Sequence, residues 1–284
     1  MRIPTLVLLL AIVMSACAPA STSGQKAATT LDPLSSGEPI EVDVGDHSLQ
    51  LHCFGTGDPA VVLEHGLGTD WTYWGHIYNG MPRDIRVCAY NRSYEAHTSQ
   101  EYVEDLHTLL AGAGIEGPYV LVGHNFGGIN VILYADRYPA EVAGVVLENS
   151  LHPDHFTRLL AALPLESPSD SSDLTALRQK FAAPTQYSID LNASFDQARP
   201  VKSLGDIPTI VLTSASPNPE WGDIPTDVQA KLDQEQQAMQ KELAGLSSAS
   251  KQVIATTNQQ VIHHFEPQLV IEAIVNLVKE LRID

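Results

Sequence analysis

The sequence predicts an α/β fold, a mostly parallel sheet flanked by helices, and three observations predict it. Short apolar runs such as Ala60-Val61-Val62-Leu63 and Gly144-Val145-Val146-Leu147 are uninterrupted, as in strands buried on both faces. Segments with helical spacing lie between such runs. The clearest spans Ser99 to Gly114, with Tyr102, Val103, Leu106, Leu109 and Leu110 on one face. Finally, Tyr119-Val120-Leu121-Val122 passes through Gly123-His124-Asn125-Phe126-Gly127-Gly128 into the helix-like run Ile129 to Tyr134. Strands that alternate with helices in this way are joined by right-handed crossovers and so lie parallel.

The chain has 284 residues, 44% of them hydrophobic, which suffices for one such domain with a large core. Asp and Glu number 34 against 16 Lys and Arg, a formal charge of −18. That surface repels phosphate backbones, so no nucleic-acid partner is expected.

Residues 1–16 read as a signal peptide. Arg2 supplies a short basic start, and Leu6 to Met14 is apolar but too short to span a bilayer. Met14-Ser15-Ala16-Cys17 resembles a bacterial lipobox, which implies acyl chains on Cys17 and a membrane anchor. The alternative is ordinary secretion with a small-residue cut nearby. Both place the protein outside the cytoplasm. Residues 17–37 hold little to bury and read as the lipidated Cys and a flexible tether.

The domain proper is expected over residues 38–284. Ile40 to Val44, the turn Gly45-Asp46 and Ser48 to Cys53 read as a hairpin. Ala60 to Glu64 is a buried strand ending in His65-Gly66-Leu67-Gly68, and Ile85 to Tyr90 is another. The helix from Ser99, the strand from Tyr119, a helix to about Tyr138 and a strand ending at Glu148 follow. From Asn149 to Gly205 the pattern breaks down, with short helices predicted at Leu159–Leu165 and Leu174–Phe181. Pro208 to Thr213 restores a strand, Asp227 to Leu246 is a polar helix, and Gln252 to Ala255 is a last short strand. Pro267 to Leu281 closes the chain as an amphipathic helix with Pro in its first turn.

The stretch from Ile40 to Ile283 resembles an α/β-hydrolase of the bacterial esterase/lipase-like kind. Its anchors are Leu63 to Gly68, Tyr119 to Gly128 and the tail ending in Pro267, in that order and after strands as required. The resemblance implies an eight-stranded α/β-hydrolase fold with residues 149–205 as a cap insertion. It puts Cys53 and Cys88 on neighbouring strands, the second and fourth, so a disulfide or two buried thiols are both open readings.

The same resemblance assigns site positions residue by residue. Backbone N–H groups of Leu67 and Phe126 would form the oxyanion hole, and Glu148 would stand where the acid orients the base. The nucleophile position is Asn125, whose amide cannot be activated as a hydroxyl can. Asn tolerates the positive φ that this turn needs. The base position, seven residues before Pro267, is Gln260, while His263 and His264 are read as partly exposed imidazoles near the pocket rim. Bulky Tyr94, Glu95 and His97 replace smaller residues in the loop after the fourth strand.

These departures point to a non-catalytic pseudo-hydrolase that keeps a pocket for a small ester-like or acyl ligand, or for a protein partner. Asn125, Gln260 and Glu148 would form a hydrogen-bonded chain, Gln260 donating to Glu148 and accepting from Asn125. One alternative is an active carboxylic-ester-type hydrolase with relocated residues, drawing on His97, His263 or His264 and a Ser of the cap. Another is a structural surface protein with a collapsed pocket. No cofactor and no metal are expected, because Pro153 breaks the spacing of His152-Pro153-Asp154-His155. Trp71, Tyr73, Trp74 and Tyr78 read as packing residues after the His-Gly turn.

Overall fold

The computed structural model describes residues 37–93, 98–184 and 189–283. The signal peptide, Cys17 and the tether up to residue 36, like Tyr94, Glu95 and His97, lie outside the described residues. Strands β1 (Gly37–Asp43) and β2 (Ser48–Phe54) form the antiparallel hairpin. They are followed by β3 (Val61–Glu64), β4 (Val87–Tyr90), β5 (Tyr119–His124), β6 (Val142–Glu148), β7 (Thr209–Thr213) and β8 (Ser250–Ile254). The eight strands make one sheet in the order β1-β2-β4-β3-β5-β6-β7-β8. Strand β2 runs antiparallel to β4, and every later pairing is parallel.

Nine helices accompany the sheet among the described residues: α1 (Gly75–Gly80), α2 (Ser99–Gly112), α3 (Gly127–Arg137), α4 (His155–Ala162), α5 (Ser172–Ala182), α6 (Leu191–Ala198), α7 (Thr226–Ala244), α8 (Ile262–Phe265) and α9 (Pro267–Leu281). Alternation along the strands sends side chains to two cores. Leu121, Val145 and Leu147 pack with Leu106 and Leu109 of α2 and Val131 and Tyr134 of α3. Val120, Val122 and Val146 face the other way, onto Trp74, Ile77 of α1, and Ile274 and Val278 of α9. The uninterrupted apolar runs thus have the physical cause that the sequence suggested, burial on both faces.

Cys53 and Cys88 lie directly opposite in the β2–β4 pairing, with Cα atoms 4.1 Å apart, and are joined as a disulfide. In the 149–205 stretch the helices differ in detail from expectation. Helix α4 starts earlier than predicted and cannot reach Leu165, because Leu163 precedes Pro164 and is extended. Helix α6 was not predicted; the Asp190 carboxylate caps it by accepting from Ala193 N–H. Leu159, Leu174, Leu177 and Phe181 of these helices build a smaller core with Trp221 and with Leu232 and Met239 of α7. Arg158 of α4 reinforces that contact, its Nε and Nη1 each 2.7–2.8 Å from Glu235 and Glu242 of α7 respectively.

Candidate functional site: an amide-lined cavity over the strand–turn–helix

Strand β5 ends at His124, and Asn125 turns the chain at φ 54° before α3 begins. The turn is so tight that a Cβ on Gly123 would stand 2.7 Å from the Gly127 carbonyl oxygen, and one on Gly127 would collide with the Glu64 carbonyl. Asn125 N–H donates to Glu148 O (3.2 Å), and its carbonyl accepts from Gly128 N–H (3.1 Å) and Leu151 N–H (2.9 Å). Its backbone is fixed on three sides, while its side chain faces a cavity of about 330 Å³.

The two N–H groups assigned to the oxyanion hole, those of Leu67 and Phe126, donate to no other group among the described residues. The loop that carries Leu67 is held from beneath by Arg92, which is buried just after β4. Its guanidinium donates to Glu64 Oε1 (2.5 Å), to the His65 carbonyl (2.6 Å) and to the Gly66 carbonyl (2.7 Å). Asn130 of α3 donates to the same Glu64 oxygen at 2.8 Å. This fork-shaped brace ties the His-Gly loop to the elbow helix and presets the donors, as electrostatic preorganisation requires.

Glu148 is fully buried at the end of β6, and its partner is His263. His263 Nδ1 lies 2.8 Å from both carboxylate oxygens, and His263 N–H donates to Oε1 at 2.9 Å. Burial works to raise the Glu148 pKa, but the His263 interactions outweigh it and hold the carboxyl below its usual range. This overturns the expectation of a rim imidazole at 263. The short helix α8 turns His263 inward, stacked on Trp74 with centroids 4.2 Å apart, and among the described residues its Nε2 has no partner. His264 does stand at the outer side, donating through Nε2 to the Tyr73 carbonyl at 2.9 Å.

The proposed chain from Asn125 through Gln260 to Glu148 is therefore not formed. With Glu148 taken by His263, the Gln260 side chain instead accepts from Gln236 Nε2 (2.9 Å) and donates to Ser214 Oγ (3.1 Å). Gln236 in turn accepts from Asn218 Nδ2 at 3.1 Å. Asn149, also at positive φ, donates to the Gln260 carbonyl (2.8 Å) and accepts from Ser214 N–H (2.9 Å). Six side-chain amides thus line one cavity: Asn125, Asn149, Asn218, Gln236, Gln240 and Gln260. Sequence reasoning missed four of these. The available signal was in α7, where Gln236 and Gln240 fall at i and i+4 on the face that also buries Leu232, Met239 and Leu243.

Leu151, Phe156, Phe181 and Trp221 form the cap side of the cavity, and His124 contributes to its floor. Burial is the main reason that the His124 pKa falls to about 4, with Glu148 and the Gln260 carbonyl opposing it only in part. His124, Glu148 and His263 offer possible ligand atoms within 4.8 Å of one another. However, the Glu148 oxygens and His263 Nδ1 already satisfy each other, so a metal ion would have to displace their shared proton. His152 and Asp154 line a separate pocket with Glu242 and Arg199, whose Nε donates to Asp154 at 2.7 Å.

A family model described as the alpha/beta hydrolase fold matches residues 59–269. The chain belongs to the α/β-hydrolase family. Among relatives of this α/β-hydrolase, the uncharacterized protein YqjL of Bacillus subtilis is 24% identical over 234 residues, covering 80% of this chain and 86% of YqjL. Mouse (Mus musculus) epoxide hydrolase 4 is 29% identical over 148 residues, covering 48% of this chain and 41% of that protein. A solved epoxide hydrolase from Vigna radiata superposes with a TM-score of 0.60 at 17% identity, covering 86% of this chain and 98% of that one, which is a likeness of fold.

Proposed function

We propose that this α/β-hydrolase is a non-catalytic pseudo-hydrolase, held outside the cytoplasm by a lipid anchor on Cys17, whose cavity binds a small acyl-type ligand. One observation carries the reading. The position that the family resemblance assigns to the base holds Gln260, an amide already engaged by Gln236 and Ser214. Asn125 itself has no ionisable proton to give up. In a subtilisin-type hydrolase, loss of nucleophile or base costs about a million-fold in turnover. The free N–H groups of Leu67 and Phe126 remain able to receive a carbonyl oxygen.

The Glu148–His263 pair supports a second reading, a hydrolase with relocated machinery. Against it, His263 does not line the cavity, and among the described residues its ring bonds to no Ser, Asp or Cys. An ester panel separates the two. Wild type, Asn125→Ala and Asn125→Ser are expected to show no protein-dependent release of nitrophenol from p-nitrophenyl esters. Asn125→Ser combined with Gln260→His is expected to gain slow turnover, slow because Glu148 is already committed to His263. Wild-type turnover that survives Asn125→Ala and disappears in His263→Ala, with that variant shown by circular dichroism to remain folded, would establish the relocated hydrolase instead.

Anchoring has its own test. The lipobox-like Met14-Ser15-Ala16-Cys17 supports it, as does a buried disulfide suited to an oxidising compartment. Cys17→Ser is expected to move the protein from the membrane fraction to the soluble fraction after cell fractionation. Retention of that variant at the membrane defeats the anchor assignment.

A further inference from the structure

We propose that the cavity selects a secondary amide, an acyl group on N–H, over the ester of the same shape, an inference that rests on the cavity being a binding site. It follows from which polar groups around the cavity are already satisfied. Asn218, Gln236 and Gln260 pass hydrogen bonds in one direction to Ser214, and Asn149 is bonded at both its oxygen and its nitrogen. None of these asks for a ligand.

Two features do. The Leu67 and Phe126 N–H groups are free donors at the elbow and call for an acceptor, which a carbonyl oxygen supplies. Gln240 calls for the opposite. It is 3% exposed and donates through Nε2 to the Ser150 carbonyl at 2.7 Å, but among the described residues its buried Oε1 has no partner. A buried carbonyl oxygen left unpaired is costly, and an N–H or O–H donor on a ligand would satisfy it. An ester brings acceptors alone and leaves Gln240 Oε1 as it is. A secondary amide brings one acceptor and one donor, matching the elbow N–H groups and Gln240 Oε1.

The remaining wall agrees with a neutral ligand bearing an apolar substituent. Phe156, Phe181 and Trp221 give it an aromatic side. The ionisable Lys180 and Glu220 are exposed cap-side groups of opposite sign, while burial lowers the pKa of His124 and His155 and so disfavours their cationic forms. The cavity volume of about 330 Å³ lies at the small end of ligand pockets.

The test uses three probes of one shape, N-benzylacetamide, benzyl acetate and N-benzyl-N-methylacetamide. Binding to the full chain in detergent is read by calorimetry and ligand-observed NMR. The secondary amide is expected to bind about tenfold more tightly than the other two, which lack the N–H. In Gln240→Met that preference is expected to vanish through weaker amide binding, with ester binding unchanged. Equal or tighter binding of the ester or the tertiary amide to wild type overturns the proposal without recourse to any variant, as does failure of all three to bind at millimolar concentration. The same NMR samples report benzyl alcohol. Its protein-dependent release overturns the non-catalytic reading separately, while the secondary-to-tertiary amide comparison still judges the selectivity.

Discussion

His263→Ala is expected to destabilise the fold by about 3–5 kcal/mol, the usual penalty for leaving a buried charge without its partner. Urea denaturation of wild type and variant at pH 7.5 measures it. The physical reason lies at the end of β6. The Glu148 carboxylate is wholly buried, and His263 approaches both of its oxygens at 2.8 Å. After the truncation only the backbone N–H at position 263 still serves that charge. The indole of Trp74 also loses its stacked ring, which adds a packing loss of the kind left by core truncations. Glu148→Gln leaves a neutral group that can keep one hydrogen bond, and should cost clearly less. A loss under about 1 kcal/mol in His263→Ala would mean that the pair is not holding the carboxylate as described.

Stability is also expected to fall steeply between pH 6.5 and pH 4, by about 3 kcal/mol from His124 alone. His124 titrates near its ordinary 6.5 when unfolded, but burial above all lowers it to about 4 in the folded protein. Between those values the unfolded chain binds a proton that the native state refuses. Acidification therefore favours unfolding, and the stability is regained as pH rises through the same window. His65, lowered well below its ordinary value by burial and by Arg92, acts in the same direction. Glu148 adds to the loss lower down: its folded pKa is depressed, so its contribution is full above its ordinary value and disappears as pH drops through the folded one. Urea midpoints from pH 7.5 to 4.5 should show this slope, and His124→Gln should flatten it. A wild-type curve that stays level down to pH 5 contradicts the buried neutral imidazole.

Much of the architecture could be read from residue pattern because one cause, burial on both faces of parallel strands, wrote both the apolar runs and the sheet. Asn125 could likewise be placed, since the turn it occupies is set by glycines a few residues away. His263 could not. Its position depends on a one-turn helix between β8 and α9, and counting back from Pro267 gives no information on which way that turn points. The clue lay at the other end of the contact. Glu148 closes a continuous apolar run, so its carboxylate was bound to be buried and to need a partner, and His263 supplies it. The cavity amides were harder still. The polar look of α7 suggests a solvated helix, whereas Gln236 and Gln240 are buried by contacts with residues far away in the chain.

The left-handed residue at the elbow has an evolutionary consequence. A reactive side chain on such a turn is kept at the expense of local strain, and enzymes trade stability for it. Asparagine adopts φ 54° more readily than serine does, so the elbow carries less strain with Asn125 than it would with serine. On the non-catalytic proposal, selection for robustness alone would hold Asn125 in place. A reversion to serine at that turn would then weaken the fold before any turnover repaid it.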